Sequence, residues 1–261
     1  MRRTHSPKPE WRRARIGRAE VAYQTLGAGP ALILLHGLSG SSRWWRYNVG
    51  PLAERFQVFV IDLIGFGASR GQRFVLREAA ALVGEWMQQT GLARASLIGH
   101  SMGGHIAAEL AAHEPARVER LVLVDAPVLP FGYGYGYHAL GMLRELRQLR
   151  LNFLPVLVAD GLRAGPATLW RAAGELLRAD LRPQLERIAA PTLLVWGGRD
   201  ALVPLALGRA LCDALPQAGL VVLAGAGHNA MWDCPAAFNR EVLSFLAGGD
   251  AAPGLREIAC V

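Results

Sequence analysis

The stretch Ser96-Leu97-Ile98-Gly99-His100-Ser101-Met102-Gly103-Gly104 places the pattern G-x-S-x-G between a short apolar strand and the start of a helix. A serine hydroxyl is presented to a substrate only if the chain turns sharply beneath it, and such a turn forces backbone angles that bulky side chains tolerate poorly. Glycines at 99 and 103 remove the side chains that would collide there. The helix opening at Met102 points its unpaired N–H groups at negative charge developing beside Ser101. The pattern alone is a weak signal, because a plain strand-to-helix turn can carry the same letters. Its weight comes from what surrounds it.

Working outward toward the N-terminus, Leu76 to Thr90 has helical apolar spacing and is closed by Gly91. Phe56 to Ile61 is a continuous apolar run, as expected of a strand buried on both faces, and delivers Asp62 to Ser69 at its end. Gly65-Phe66-Gly67 imitates a dinucleotide fingerprint but has Arg70 where the third glycine belongs. Ala31 to Leu35 is a further buried strand ending in His36-Gly37, preceded by short strands at Arg13 to Ile16 and Glu20 to Leu26. Toward the C-terminus, a helix runs from Met102 to about His113, and Val118 to Val124 is a strand ending in Asp125. Pro191 to Trp196 delivers Gly197-Gly198-Arg199-Asp200, a helix spans Pro204 to Leu215, and Leu220 to Leu223 leads into Gly225-Ala226-Gly227-His228. A helix over Pro235 to Phe245, with Pro at its start, closes the domain.

Eight strands alternating with helices predict an α/β fold with a mostly parallel, doubly wound sheet, whose ligand site lies off the C-terminal strand edge. Residues 128–185 interrupt the alternation with Leu- and Arg-rich helical segments and read as a helical cap inserted into the sheet domain. The expected organisation is a basic flexible tail at 1–12, a sheet domain at 13–127 and 186–250, the cap between them, and a C-terminal tail at 251–261.

Composition bounds the chemistry. The first 18 residues hold seven basic side chains against Glu10 alone, which accounts for six of the seven net positive charges. The basicity therefore belongs to a short solvated tail rather than to a nucleic-acid-binding face. No apolar run approaches the ~20 residues of a membrane span, and no secretory signal is legible, so a cytoplasmic location is expected. Lys8 is the sole lysine, which excludes Schiff-base chemistry and a phosphate-loop lysine at any later position. Cys212, Cys234 and Cys260 lack metal-ligand spacing and suggest neither a zinc site nor a disulfide framework. No cofactor and no metal are expected.

His36, Asp62, Ser101, Asp125, Asp200 and His228 all follow strands in this reading, so they gather on one sheet edge. With these motifs in register the chain resembles an α/β-hydrolase, of the capped kind related to esterases, C–C bond hydrolases, haloperoxidases and epoxide hydrolases. The resemblance runs from His36-Gly37 through Asp62–Ser69, Gly99–Gly104 and Gly198-Arg199-Asp200 to Gly227-His228, in the family's Ser, Asp, His order. It implies Ser101 as nucleophile, His228 as general base and then acid, and Asp200 as the group that orients His228. The backbone N–H groups of Leu38 and Met102 are the implied oxyanion hole.

Among the rivals, His100 reads as a packing residue because neighbours across a tight turn point apart. His105 reads as core or as support for the site, and Asp233 as a helix cap before Pro235. Asp125 is an alternative acid. His36, Trp44, Trp45, Tyr133, Tyr135 and Tyr137 are candidates for an apolar or aromatic pocket, or else ordinary core and hinge residues.

Related dehalogenases and epoxide hydrolases carry Asp at the elbow, so Ser101 points to acyl transfer to water. The expected activity is hydrolysis of a small to medium carboxylic ester, lactone or thioester through an acyl-enzyme on Ser101. The expected partners are that small molecule and water, with no nucleic acid. A C–C bond hydrolase of ring-cleavage diketones would use the same triad. A ligand-binding receptor on this fold is the third reading.

Overall fold

The computed structural model describes residues 9–130, 135–249 and 254–260, with backbone only over 135–139. Among these residues nine strands form one sheet: β1 (Glu10–Ile16), β2 (Ala19–Leu26), β3 (Ala31–Leu35), β4 (Gln57–Asp62), β5 (Ala95–His100), β6 (Val118–Val124), β7 (Thr192–Gly197), β8 (Ala218–Leu223) and β9 (Gly254–Ile258). Their order is β1-β2-β4-β3-β5-β6-β7-β8-β9, with β1/β2 and β2/β4 antiparallel and every other pairing parallel.

Six α-helices pack on the sheet: α1 (Val49–Ala53), α2 (Leu76–Gln89), α3 (Met102–His113), and later α7 (Leu205–Ala214), α8 (Ala230–Asp233) and α9 (Pro235–Leu246). Between β6 and β7 the described residues hold three more, α4 (Tyr135–Gln148), α5 (Leu154–Ala164) and α6 (Pro166–Leu176), and no strand.

The central strands are apolar throughout because both their faces are covered. In β3, Ile33 and Leu35 enter one core with α2 and α3, whereas Leu32 and Leu34 enter the other with α1 and α9. The same alternation divides Leu121 and Leu123 from Val122 and Val124 in β6. From β3 the chain steps to β4 on one side and then crosses to β5 on the other. That reversal opens a crevice at the strand ends between β3 and β5, where ligands bind in such sheets.

Three expectations are corrected at the edges. The first strand begins at Glu10, not Arg13, because Glu10, Trp11 and Arg12 pair with Thr25, Gln24 and Tyr23 in register from the Gly17 turn. The first four residues of this outer strand are exposed, so no apolar alternation marks its start, whereas Ala14 and Ile16 are buried. The sheet has nine strands rather than eight, because part of the expected C-terminal tail pairs in parallel with β8, from Gly219 opposite Gly254 to Leu223 opposite Ile258. Finally, Cys234 and Cys260 form a disulfide with Cα atoms 5.1 Å apart. Their separation of 26 residues carried no local signal, and only the docking of β9 brings them together. Among the described residues no helix is long and apolar enough to cross a membrane.

Candidate active site

Ser101 stands between β5 and α3 with φ 50° and ψ −120°, a conformation L-residues rarely hold. The surrounding ladder enforces it: the Ser101 N–H donates to Val124 O at 2.8 Å, and the Ser101 carbonyl accepts from the N–H groups of Gly104 and His105. A Cβ at Gly99 would strike the Gly103 backbone, and one at Gly103 would strike the carbonyls of Leu35 and His36. Both positions therefore require glycine for close backbone approach.

The Ser101 hydroxyl lies 3.0 Å from His228 Nε2, to which it donates. On the other side of the ring, His228 Nδ1–H donates to Asp200 Oδ2 at 2.8 Å. Asp200 follows β7, and its side chain is fully buried. Its other oxygen accepts from the N–H groups of Leu202 and Val203 at 2.7 and 2.9 Å, so the carboxylate is fixed before it meets the imidazole. Burial pushes the His228 pKa down, but Asp200 opposes it, with Glu145 and Asp233 adding to the effect, and the net shift is upward. Met102 is the first residue of α3, so its N–H has no intrahelical acceptor.

Above this row lies a cavity of about 560 Å³ bounded by Ser101, His228, Leu38 and Trp44 below and by α4, α5 and α6 above. Its upper wall is apolar, with Leu146, Leu149, Leu157, Leu169 and Leu176. No Arg or Lys lines it among the described residues.

The other candidates separate by depth. Trp44 lines the cavity and its Nε1–H donates to Asp160 at 3.2 Å. Trp45 is not a pocket residue: it is fully buried below, against Phe238. His36 is not one either. It is fully buried, its Nδ1–H donates to the Gly37 carbonyl and its Nε2 accepts from Leu63 N–H, so it ties the loop after β3 to the loop after β4. Tyr133 and the side chains of Tyr135 and Tyr137 lie outside the described residues.

Asp62 joins the same two loops by accepting from the N–H groups of Ser42 and Ala68 at 2.5 and 2.6 Å. His105 is buried and donates to the Pro127 carbonyl. His100 packs as expected, but its ring also lines the cavity floor, 5.0 Å from the His228 ring, and its Nε2–H donates to the His228 carbonyl. Burial, with His228 beside it, holds His100 well below the usual imidazole range and therefore neutral.

Asp125 does not reach His228 Nδ1. It accepts from Gly197 N–H at 2.7 Å and faces Asp200. Burial and then the neighbouring Asp200 charge push its carboxyl well above the usual range, and its second oxygen accepts from Ala230 N–H at 3.4 Å. Asp233 is not a cap for α9: it accepts from Gly227 N–H at 2.9 Å, because the short helix α8 turns it back beneath the His228 loop.

Two residues were invisible in the sequence. Glu145, buried on α4, accepts from Ala201 N–H at 2.7 Å and from His228 N–H at 3.2 Å. Asp160, buried on α5, accepts from Ser41 Oγ at 2.8 Å, from Trp44 Nε1 and from Arg43. Each sits among leucines and arginines, with no spacing that distinguishes it from a solvated helix charge.

The profile of the alpha/beta hydrolase family matches residues 32–241, which carry all of these strand ends. The chain belongs to the alpha/beta hydrolase family. This hydrolase is 33% identical over 262 residues to 2-hydroxy-6-oxo-6-phenylhexa-2,4-dienoate hydrolase of Burkholderia cepacia, covering 85% of this chain and 90% of that one. It is 30% identical over 248 residues to pimeloyl-(acyl-carrier protein) methyl ester esterase of Nitrosomonas europaea, covering 84% and 97%. The enol-lactonase structure from Burkholderia xenovorans LB400 superposes with a TM-score of 0.77 at 26% identity, covering 90% of this hydrolase and 100% of that chain.

Proposed function

We propose that this hydrolase cleaves a carboxylic ester or lactone with an uncharged acyl group, through an acyl-enzyme on Ser101. The observation that carries the reading is the hydrogen-bonded row Ser101–His228–Asp200 opening on an apolar cavity of about 560 Å³. His228 takes the Ser101 proton as the oxygen attacks the carbonyl carbon. The oxyanion then sits against the N–H groups of Met102 and Leu38, where a single donor contributes about 3 kcal/mol to the transition state. The leaving alcohol departs with the proton from His228, and water, deprotonated by the same imidazole, releases the acid. The helices α4 to α6 act as a cap that excludes bulk water from the acyl chain.

The C–C bond reading has support in the Burkholderia cepacia relative, whose name states a dienoate substrate. Such a substrate is a carboxylate, and the described cavity wall offers no cation to receive it while holding Glu145. The ester reading therefore leads.

A series of nitrophenyl esters of increasing acyl length, run beside a vinylogous diketone acid, separates the two. Ester turnover rising with chain length up to the cavity's capacity is expected, together with a loss of at least about 10⁴ in kcat for Ser101→Ala in a chain of unchanged melting temperature. Preferential turnover of the diketone acid, or ester turnover in Ser101→Ala within tenfold of the parent, overturns the reading.

A further inference from the structure

Eleven large apolar side chains are exposed among the described residues, and nine of them lie between Leu140 and Trp170. Leu154, Val158 and Leu162 recur every four residues and form one stripe along α5. Leu151 and Trp170 are 85% and 82% exposed, far beyond what a packed helix face leaves to water. Met142, Leu146 and Trp170 are at once exposed and part of the cavity wall, so the apolar surface continues into the site. A soluble protein rarely leaves such a surface uncovered without a use for it.

The charges of the same segment are sorted by sign. Arg144, Arg147, Arg150, Arg163 and Arg171 are exposed. The carboxylates between residues 140 and 176 turn inward: Glu145 and Asp160 are buried, and Glu175 is half-buried and accepts from Leu76 N–H. The outer face thus offers leucine, tryptophan and guanidinium groups, the composition that settles at the boundary between acyl chains and anionic headgroups. A second copy is the poorer occupant, because two such faces brought together would set arginines against arginines with no outward carboxylate between them.

We propose that the α4–α6 face docks on an anionic lipid surface, with the cavity mouth turned toward the lipid. The docking is independent of which bond the site cleaves. Leu151, Leu154 and Leu162 enter the acyl region, the arginines meet the headgroups, and an apolar substrate passes from lipid to cavity past Met142, Leu146 and Trp170.

The test uses the full chain carrying Ser101→Ala, which removes turnover, in cosedimentation with vesicles of phosphatidylcholine alone or of phosphatidylcholine mixed with phosphatidylglycerol. Binding to the mixed vesicles is expected to be at least about tenfold tighter and to weaken as salt rises. The double change Leu151→Ser and Leu162→Ser, on two side chains outside the cavity, is expected to weaken binding by at least about tenfold. In the chain that retains Ser101, the same double change leaves the melting temperature and the turnover of a short soluble ester unaltered. Equal binding to both vesicle types, absence of binding, or a concentration-dependent dimer that the double change disperses overturns the proposal. Vesicle binding without ester turnover refutes the ester reading alone, and turnover without vesicle binding refutes the docking alone.

Discussion

The sheet edge and the helical insertion above it meet at one cavity but are held by different means. The edge is fixed by continuous backbone pairing between apolar strands, so Ser101 and Asp200 leave β5 and β7 in positions that the ladder dictates. The insertion has no strand among the described residues; besides Phe153, Ala172 and Leu176 in the cores, it is pinned by isolated carboxylates, one from each helix, of which two are buried and one is half-buried. Glu145 on α4 holds the Ala201 and His228 amides, Asp160 on α5 holds the Ser41–Trp44 turn, and Glu175 on α6 caps the first N–H of α2. A ladder spreads its energy over many bonds, whereas a buried carboxylate concentrates it in a few that a single substitution removes. The insertion is therefore the region that a single substitution can loosen.

The largest expected effect tests the edge. Asp200→Asn should lower kcat by roughly 10⁴, because an amide favours the wrong imidazole tautomer. Asp125→Asn should cost less than about tenfold, since Asp125 does not bond His228 and the amide oxygen can still accept from Gly197 N–H. Steady-state kinetics on both variants checks this, and reversed magnitudes would place the acid before the insertion.

The next experiment tests the anchors against each other. Glu145→Gln is expected to cost about tenfold in kcat/KM, equivalent to one charged hydrogen bond of ~1.5 kcal/mol. Because Glu145 helps to raise the His228 pKa, its neutralisation should also move the acid limb of the rate profile to lower pH. Asp160→Asn should lower the melting temperature by about 2–4 °C while leaving that limb in place, because its partners lie on the Ser41–Trp44 turn. A limb that moves equally in both variants would mean that the anchors act only through the fold.

In the parent chain the limb itself is a prediction. In the proposed mechanism His228 works as the neutral base, and its pKa is raised, so kcat/KM should fall as pH drops through a value above the ordinary imidazole value of about 6.5. A profile flat down to about pH 5 would contradict the role.

The smallest effect on activity concerns the far edge. Reduction of Cys234–Cys260 opens a loop of 26 residues, worth ~3 kcal/mol in the chain-entropy description. The melting temperature should fall by several degrees under reductant while kcat stays within about twofold, because Asp200 and His228 are held by bonds that do not involve β9. Calorimetry and a turnover assay with and without reductant read both quantities.

The order of buried strands, the elbow glycines and the strand-end positions of Ser101, Asp200 and His228 were legible in the sequence. Each is a local consequence of residue type: apolar runs for strands covered on both faces, and glycine where backbones nearly touch. The arginine-rich β1 start and the C-terminal β9 were not legible. Exposed edge strands need no apolar alternation, so their pairing leaves no periodic trace. The disulfide followed from β9 and was hidden with it. Likewise Trp44 and Trp45 are adjacent letters, and only the fold sends one to the cavity and the other into the core. Glu145 and Asp160 mark the limit most clearly: their hydrogen-bond donors are backbone and side-chain groups 56 to 119 residues away. Nothing in its own neighbourhood specifies whether it faces water or a buried amide, so tertiary packing alone made these two the anchors of the insertion.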